Sequence, residues 1–320
     1  MALDGLAIAN AARPAAGAAG VVVVGDDPAL SSTQVGADSR TTLAGARIPV
    51  LEPASAQELK DLVRLAFDLS AESGLVVGLM CTTTQADGAG VVELRPNRSP
   101  AIGPRSRVAL DTSAIRPADA VSLPPQAVSL EADILESRIP RLHAAVRAAG
   151  LDRIEAPAGA GHRPVGIVTG GASYVLLRSA LAELGIDGEV PVLRLGLTWP
   201  LDGDLVRRFA DGVDELVVME ERSPQLEDQV RRALEGRRQA VWGKRLPCDA
   251  RGFPEGSGMD PDIALAVLGR LVEARPEAFP QRAVSVRRWL TDPDVSRPVR
   301  GLWFLSAHRG VTPRHRVGRP

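Results

Sequence analysis

Short apolar runs alternate with helical segments through the second half of the chain, and this alternation constrains the fold more than any other feature. Residues 165–169, 190–195 and 216–219 are runs rich in valine and leucine, typical of strands buried on both faces. Helical patterns separate these runs. Strands that alternate with helices form right-handed βαβ units, because each helix must cross a face of the sheet. The sequence therefore predicts a doubly wound α/β domain over residues 165–245.

The first 95 residues predict the start of another parallel sheet. Three apolar runs are typical of its strands, at residues 20–25, 48–51 and 75–80. Between the second and third runs, Ser55 and Glu58 have the spacing of a capping box, in which each side chain binds a free backbone amide. The helix that they begin is predicted to end at Gly74, because glycine is common just beyond a helix C-terminus.

Three further segments are distinguished by composition. Residues 96–164 are rich in proline and predict a linker that contains a helix, interrupted at Pro140. Residues 246–294 predict a helical extension, with one further helix beginning at Asp260 and Pro261. Residues 295–320 contain no acidic residue and several arginines, and this basic tail is expected to be disordered.

Composition excludes several classes of protein. The formal net charge of −1 and an aromatic content of 3% do not favour nucleic-acid binding, which needs a basic face and stacking rings. No apolar run is long enough to span a membrane and no signal peptide is recognised, so a cytoplasmic location is expected. With two cysteines and four histidines, none at ligand spacing, no structural zinc or four-cysteine iron–sulfur site is predicted within the chain.

The loop after the first strand holds the strongest candidates for a binding site. Ligands of open α/β sheets bind beyond the carboxyl ends of the strands, so residues that leave a strand there can contact a ligand. The candidates in this loop are Asp26, Asp27, Ser31, Ser32 and Gln34. A polar surface turn with a helix N-cap is the structural alternative for the same residues.

Three other strand exits carry weaker signals. Gly170 and Gly171 could place backbone amides around an anion, but close packing of strand on helix is favoured. Trp199 is favoured as a packing or subunit-contact residue. The Glu-Glu-Arg sequence at 220–222 could supply acid–base chemistry, but an ion pair within the domain is favoured. No nucleophile elbow, P-loop or dinucleotide-binding motif is present, so the residues alone define no self-contained active site.

Two stretches resemble the alpha subunits of the 2-oxoacid:ferredoxin oxidoreductases, most closely those of the indolepyruvate type. The first contains Asp26-Asp27-Pro28, the 31–34 segment, Asp38-Ser39-Arg40 and residues 48–53, and is similar to the later part of that family's pyrimidine-binding domain. The second contains residues 190–201, 217–222 and Gly243-Lys244, and is similar to its transketolase C-terminal-like domain. The resemblance implies an α/β fold with a partial pyrimidine-binding domain over residues 1–95 and the doubly wound domain after it.

The resemblance also implies a chemistry. It is thiamine diphosphate-dependent oxidative decarboxylation of an aryl pyruvate to its acyl-CoA, with Mg²⁺ on the diphosphate and electrons passed through iron–sulfur clusters to ferredoxin. The family's catalytic Glu, its Mg²⁺-binding motif and its cluster cysteines have no counterpart here. We therefore assign no catalytic or metal-binding residues, and we expect the thiamine diphosphate and Mg²⁺ to be shared with other segments. The five loop residues are implied to contact the cofactor.

Three interpretations follow from this sequence. In the first, the chain is an oxidoreductase alpha chain that is incomplete alone and works with a beta-type subunit and ferredoxin in an oligomer. This interpretation includes the hypothesis that the gene was once longer at both ends and that its reading frame was disrupted. In the second, it is a non-catalytic assembly subunit that associates through the transketolase C-terminal-like domain. In the third, it is a small-molecule binding module that uses Gly170 and Gly171.

Overall fold

Two β-sheets organise the chain, each with its own helices. The computed structural model describes residues 2–14, 18–96, 123–157, 159 and 161–279. The first sheet has the order β1-β3-β2-β7, and the second has the order β4-β6-β5-β8-β9. The strands of the first sheet precede those of the second along the chain, with one exception. β7 follows β6 in the sequence but pairs in the first sheet.

The first sheet is parallel except at one edge. Its strands are β1 (Val21–Asp26), β2 (Val50–Leu51), β3 (Val77–Thr82) and β7 (Leu197–Trp199). β1 and β2 pair parallel with β3, and β7 pairs antiparallel with β2. Its helices are α1 (Ala2–Ala12), α2 (Ser39–Gly45), α3 (Ala56–Ser73), α4 (Thr83–Ala86), α5 (Gln126–Asp133) and α6 (Ile139–Ala149). α3 and α6 cover one face of this sheet, and α1 and α2 cover the other.

Helix α3 begins and ends where the sequence predicts. The Ser55 hydroxyl accepts a hydrogen bond from the Glu58 amide at 3.2 Å, and the Glu58 carboxylate accepts one from the Ala54 amide at 2.8 Å. At the other end Gly74 has a φ of +74°, and its amide donates to the Ser70 carbonyl. The signals for both ends of α3 are therefore confirmed, except that the Glu58 carboxylate accepts from the amide of Ala54 and not from that of Ser55.

The predicted interruption at Pro140 is wrong. α5 continues into α6 through a π-helical turn at Ile134–Arg138, and Pro140 lies at the start of α6. Arg138 extends from this turn, is fully buried, and donates to the carbonyls of Asn10 and Ala11 at 2.9 and 3.0 Å. Because the wider turn leaves backbone groups without their usual partners, a proline can follow it without breaking the helix.

The second sheet has helices on both faces, which confirms the doubly wound prediction. Its strands are β4 (Arg153–Glu155), β5 (Arg163–Gly170), β6 (Val192–Leu195), β8 (Val213–Met219) and β9 (Ala240–Trp242). Its helices are α7 (Gly171–Glu183), α8 (Gly203–Ala210), α9 (Gln225–Ala233) and α10 (Pro261–Ala274). α7 and α10 pack on one face, α8 and α9 on the other. As predicted, Asp260 caps α10, accepting a hydrogen bond from the Ile263 amide at 2.8 Å.

The predicted domain boundaries stay a prediction, and two observations bear on them. α6, within the predicted linker, packs on α3 and so contributes to the core of the first unit. β7, within residues 165–245, belongs to the first sheet. Residues 280–294 of the helical extension and the basic tail at 295–320 lie outside the described residues. Within the described part, no helix combines the length and hydropathy needed to cross a bilayer.

Candidate active-site cleft

A cleft lies where the carboxyl ends of strands from both sheets meet. Asp26 and Thr82 end β1 and β3 of the first sheet, while Gly170 ends β5 and Glu220 follows β8 of the second. The space that these residues enclose is about 540 Å³, including the part open to solvent. This is the position at which open α/β sheets bind their ligands.

Arg40 forms hydrogen bonds with residues on both sides of the cleft. Its guanidinium is buried, with 6% of the residue exposed, and pairs with both carboxylate oxygens of Asp38 at 2.9 Å. It also donates to the Glu220 carboxylate at 3.0 Å and to the Glu221 carbonyl at 2.6 Å. Because planar N–H groups of one guanidinium satisfy oxygens from both units, a lysine could not replace it.

Glu220 is the partner of Arg40 in the second unit. Its carboxylate accepts hydrogen bonds from the Leu226 and Glu227 amides, both at 2.8 Å, and so caps the N-terminus of α9. Burial raises the pKa of Glu220 to about 7, and the positive charges of Arg40 and Lys244 oppose that rise. The Lys244 ammonium lies close by and donates to the Glu220 carbonyl at 2.9 Å.

Glu52 also lines the cleft, between the two sheets. It follows β2, and one carboxylate oxygen accepts a hydrogen bond from the Thr198 hydroxyl at 2.6 Å. Burial raises its pKa, which the charge of Arg40 and the Thr198 hydrogen bond oppose. The other oxygen lies against Gly171, where an added Cβ would be 2.8 Å away. Gly171 therefore admits the Glu52 side chain to the start of α7, whose positive end favours a carboxylate.

The two aspartates after β1 organise the loop that follows them. Asp27 accepts hydrogen bonds from the amides of Ser31, Ser32 and Thr33 at 3.0, 2.7 and 3.0 Å. Burial would raise the pKa of Asp27, but these backbone bonds and the hydroxyls of Ser31 and Thr33 outweigh it and hold the pKa well below its ordinary value. Asp26 accepts from the Ser39 amide at 2.6 Å and from its hydroxyl.

Of the five predicted loop residues, only Asp26 lines the cleft. Asp27 is 3% exposed and turned into its own loop, while Ser31, Ser32 and Gln34 are exposed at the surface. The polar surface turn, considered as the alternative for this loop, therefore describes most of what these residues do in the chain. Contact with a cofactor stays a prediction for all five.

The other strand exits also have identifiable roles. An added Cβ at Gly170 would lie 2.8 Å from the Leu195 carbonyl, so the close packing at this glycine is against the neighbouring strand β6 and not against a helix. Trp199 packs against the core on the α1 and α2 face of the first sheet. The ion pair predicted within the domain is wrong for Glu220, because this carboxylate pairs with Arg40 of the first unit, and Arg222 donates to the Pro28 carbonyl at 3.1 Å.

Sequence reasoning does not single out two charged residues that line the cleft, Arg40 and Glu52. Arg40 and Glu52 both belong to the stretch that carries the resemblance, but the sequence assigns neither of them to the cleft. Glu52 directly follows an apolar run and Arg40 lies in a polar segment, and neither pattern is distinctive enough in a sequence to be recognised alone. Only the approach of the second sheet gives both residues buried partners.

The described residues do not fit a Mg²⁺-diphosphate group. No group of three or more His, Cys, Asp or Glu side chains within them could hold a metal ion. Asp26 and Asp27, the acidic residues of the candidate loop, already accept hydrogen bonds from Ser39 and from residues 31–33.

The two-sheet fold of this chain is also found in a solved structure of another protein. The structure is similar to a 2-oxoglutarate:ferredoxin oxidoreductase from Magnetococcus marinus, with a TM-score of 0.50 over 84% of this chain and 50% of that chain. The two sequences are 13% identical, so this likeness concerns the fold alone.

Sequence comparison then identifies the family. Residues 156–286 match the family described as "Indolepyruvate oxidoreductase domain". The chain is 34% identical over 211 residues to the indolepyruvate oxidoreductase subunit IorA of Pyrococcus horikoshii, covering 66% of this chain and 32% of that protein. It is 31% identical over 239 residues to IorA of Methanothermobacter thermautotrophicus, covering 74% and 35%. The chain belongs to the indolepyruvate oxidoreductase alpha-subunit family and spans about a third of the length of the curated relatives it matches.

Proposed function

We propose that this chain is part of the alpha subunit of a thiamine diphosphate-dependent 2-oxoacid:ferredoxin oxidoreductase. The substrate would be indolepyruvate or another aryl pyruvate, which is decarboxylated oxidatively to its acyl-CoA. The observation that carries the proposal is the 34% identity to IorA over 211 residues, in a chain whose two sheets form a cleft at their strands' carboxyl ends.

The chain contributes a scaffold to this reaction. Asp26, Arg40, Glu52 and Glu220 shape a charged cleft, but the described residues supply no metal site. Thiamine diphosphate with Mg²⁺, the iron–sulfur clusters, a beta-type subunit and ferredoxin would come from outside these residues. A cytoplasmic location goes with this proposal. The assembly-subunit alternative is not favoured, because the relatives are named as oxidoreductase subunits.

Reconstitution tests the function. The chain is co-expressed with a beta-type subunit and the remaining alpha-subunit segments, and CoA-dependent reduction of ferredoxin by indolepyruvate is measured. We expect turnover only in the complete mixture, with none when this chain is left out. Equal turnover without this chain would refute the proposal.

Thermal melting of the isolated chain tests the missing cofactor site. A ligand at 100 times its dissociation constant adds about 2.7 kcal/mol of apparent stability. We expect thiamine diphosphate with Mg²⁺ to leave the melting temperature of the isolated chain unchanged. A clear rise would contradict the conclusion that the site lies elsewhere.

A further inference from the structure

The N-terminus of α7 meets the cleft without a side-chain cap. α7 begins directly after β5, and its N-cap residue, Gly170, has no side chain to bind the free amides of the first turn. Gly170, Ala172 and Ser173 all line the cleft. Because the first amides of a helix carry a partial positive charge, this end of α7 offers hydrogen-bond donors to a group that enters the cleft.

The Ser173 side chain is a second, independent sign of a ligand at this place. Ser173 is 5% exposed and lines the cleft, yet its hydroxyl makes no hydrogen bond within the described residues. A buried hydroxyl without a partner costs free energy, and native structures usually satisfy such a group with protein or with a bound molecule. The hydroxyl therefore indicates a hydrogen-bonding group beside it.

Two carboxylates of the cleft also keep one oxygen without a hydrogen-bond partner in the described part of the chain. Glu52 accepts from the Thr198 hydroxyl through one oxygen, and Glu221 accepts from the Met259 amide through one oxygen. Burial raises the pKa of both side chains. The free oxygen of Glu52 lies against Gly171, the first residue of α7. A proton on this oxygen adds a donor to those of the helix.

The charges around the cleft permit an anion there. Apart from Glu52 and Glu221, three carboxylates face three cations, namely Asp26, Asp38 and Glu220 against Arg40, Arg222 and Lys244. Arg222 forms no ion pair within the described residues and donates to the carbonyls of Pro28 and Gly256 at 3.1 and 3.4 Å. With Glu52 and Glu221 protonated, the cleft has no net charge that would repel an anion.

We propose that the start of α7 binds inorganic phosphate, as a small oxyanion that carries its own proton. Its oxygens accept hydrogen bonds from the first amides of α7 and from the Ser173 hydroxyl. One proton lies between the anion and the free oxygen of Glu52. Phosphate brings this proton, whereas sulfate has none at neutral pH and binds only when Glu52 takes up a proton from solution. Glu52 thereby selects phosphate over sulfate at alkaline pH.

The same requirement excludes thiamine diphosphate bound to Mg²⁺. Mg²⁺ binds oxygens of the diphosphate and takes the place of the proton on its terminal phosphate. The phosphate site therefore does not change the expectation that this cofactor leaves the melting temperature of the isolated chain unaltered.

Isothermal titration calorimetry of the full chain at pH 8 tests the site. We expect phosphate to bind one-to-one and sulfate to bind at least tenfold more weakly. Ser173→Ala should weaken phosphate binding about tenfold or more, because a hydrogen bond to a charged group is lost. Ser129→Ala is the matched control, since Ser129 is exposed on α5. A wild type that binds no phosphate, or equal phosphate affinities of the two variants, overturns the proposal.

Glu52→Gln tests the shared proton. Its amide donates a hydrogen bond to an anion that has no proton, so sulfate should bind this variant at pH 8 at least tenfold more tightly than it binds the wild type. Glu72→Gln is the control, because Glu72 is exposed on α3. Sulfate affinities that are equal in Glu52→Gln and Glu72→Gln overturn the proposal.

The wild type gives a readout that requires no variant to fold. Sulfate binding takes up a proton, so its affinity should fall about tenfold per pH unit above the pKa of Glu52, and phosphate affinity should fall less. Equal pH dependence of the two anions contradicts the shared proton and overturns the proposal. Because these titrations use this chain alone, a negative result leaves the reconstitution of oxidoreductase activity as a separate test.

Discussion

Asp152 shows how a single carboxylate positions the chain where it passes from one sheet to the other. Its Oδ1 atom accepts hydrogen bonds from the Gly196 and Leu197 amides, at 2.7 and 3.0 Å, at the junction of β6 and β7. Its Oδ2 atom is buried without a hydrogen-bond partner among the described residues. Burial raises the pKa of Asp152 to about 6; the two amides oppose the rise and the charge of Asp202 adds to it.

This raised pKa predicts a pH dependence of stability. The unfolded chain ionises Asp152 near 3.8, whereas the folded chain keeps its proton up to about pH 6. Folding stability contributed by the protonated group is therefore lost as the pH rises from about 4 to above 6. Asp152→Asn removes this loss, so its unfolding free energy relative to wild type should rise by about 2 kcal/mol between pH 4 and pH 7.

Urea unfolding at a series of pH values measures this difference. Asp68→Asn is the control, because Asp68 is 64% exposed in a surface ion pair and should show a nearly constant difference over the same range. A constant difference for Asp152→Asn as well would mean that the carboxylate is ionised in the folded chain.

At the scale of elements, the N-terminus of α9 is capped by a residue other than the one that the sequence predicts. Ser223 followed by Pro224 predicts an N-cap, but this expectation is wrong. The Ser223 hydroxyl makes no capping bond, and Glu220 supplies the acceptor for the Leu226 and Glu227 amides. A carboxylate buried against Arg40 binds these amides more strongly than a neutral hydroxyl could.

A pair of variants separates the two caps. Ser223→Ala should change the unfolding free energy by less than about 0.5 kcal/mol, whereas a true N-cap serine would cost about 1 kcal/mol. Glu220→Gln should cost about 2–4 kcal/mol at pH 8, because it leaves the Arg40 guanidinium buried without this counter-charge. Urea unfolding of both variants measures this, and equal effects would restore Ser223 as the cap.

At the scale of the whole molecule, a few contacts join the two sheets. β2 pairs with β7, Arg40 pairs with Glu220, Glu58 of α3 pairs with Arg194 of β6, and Arg147 of α6 pairs with Asp202. Arg194 also lies over the Tyr174 ring, 4.1 Å from its centroid. The Arg40–Glu220 pair is the most buried of these three ion pairs, so we expect it to contribute most among them to the coupling between the two units.

Arg40→Lys should weaken that coupling. An ammonium cannot reach Asp38, Glu220 and the Glu221 carbonyl together, so we expect a loss of about 3 kcal/mol and a broader or two-step urea transition. Arg47→Lys is the control, since the Arg47 side chain is 43% exposed and pairs with Glu131 at 3.4 Å. Unfolding is followed by circular dichroism and by tryptophan fluorescence. A single transition at the wild-type midpoint would show that Arg40 does not couple the sheets.

Much of the fold follows from signals that act over a few residues. The βα alternation predicts the doubly wound sheet, Ser55 and Gly74 mark the ends of α3, and Asp260 caps α10. Each of these depends on backbone geometry and on neighbours within about four positions, so the amino-acid sequence alone determines it. The apolar α1 and the continuous α5–α6 helix were not predicted, because packing against distant segments stabilises them.

Only the tertiary structure decided which partners the buried polar side chains find. Asn10 looks like an ordinary helix residue, yet its side chain binds the Ala46 and Arg47 carbonyls and the Val76 amide. Arg40 finds Glu220 across 180 positions of sequence. A charged side chain can be buried only where its partner arrives, and no local pattern specifies that partner. The sequence therefore determined most of the strands and helices and the family, while the approach of the second sheet decided which charged residues face the cleft.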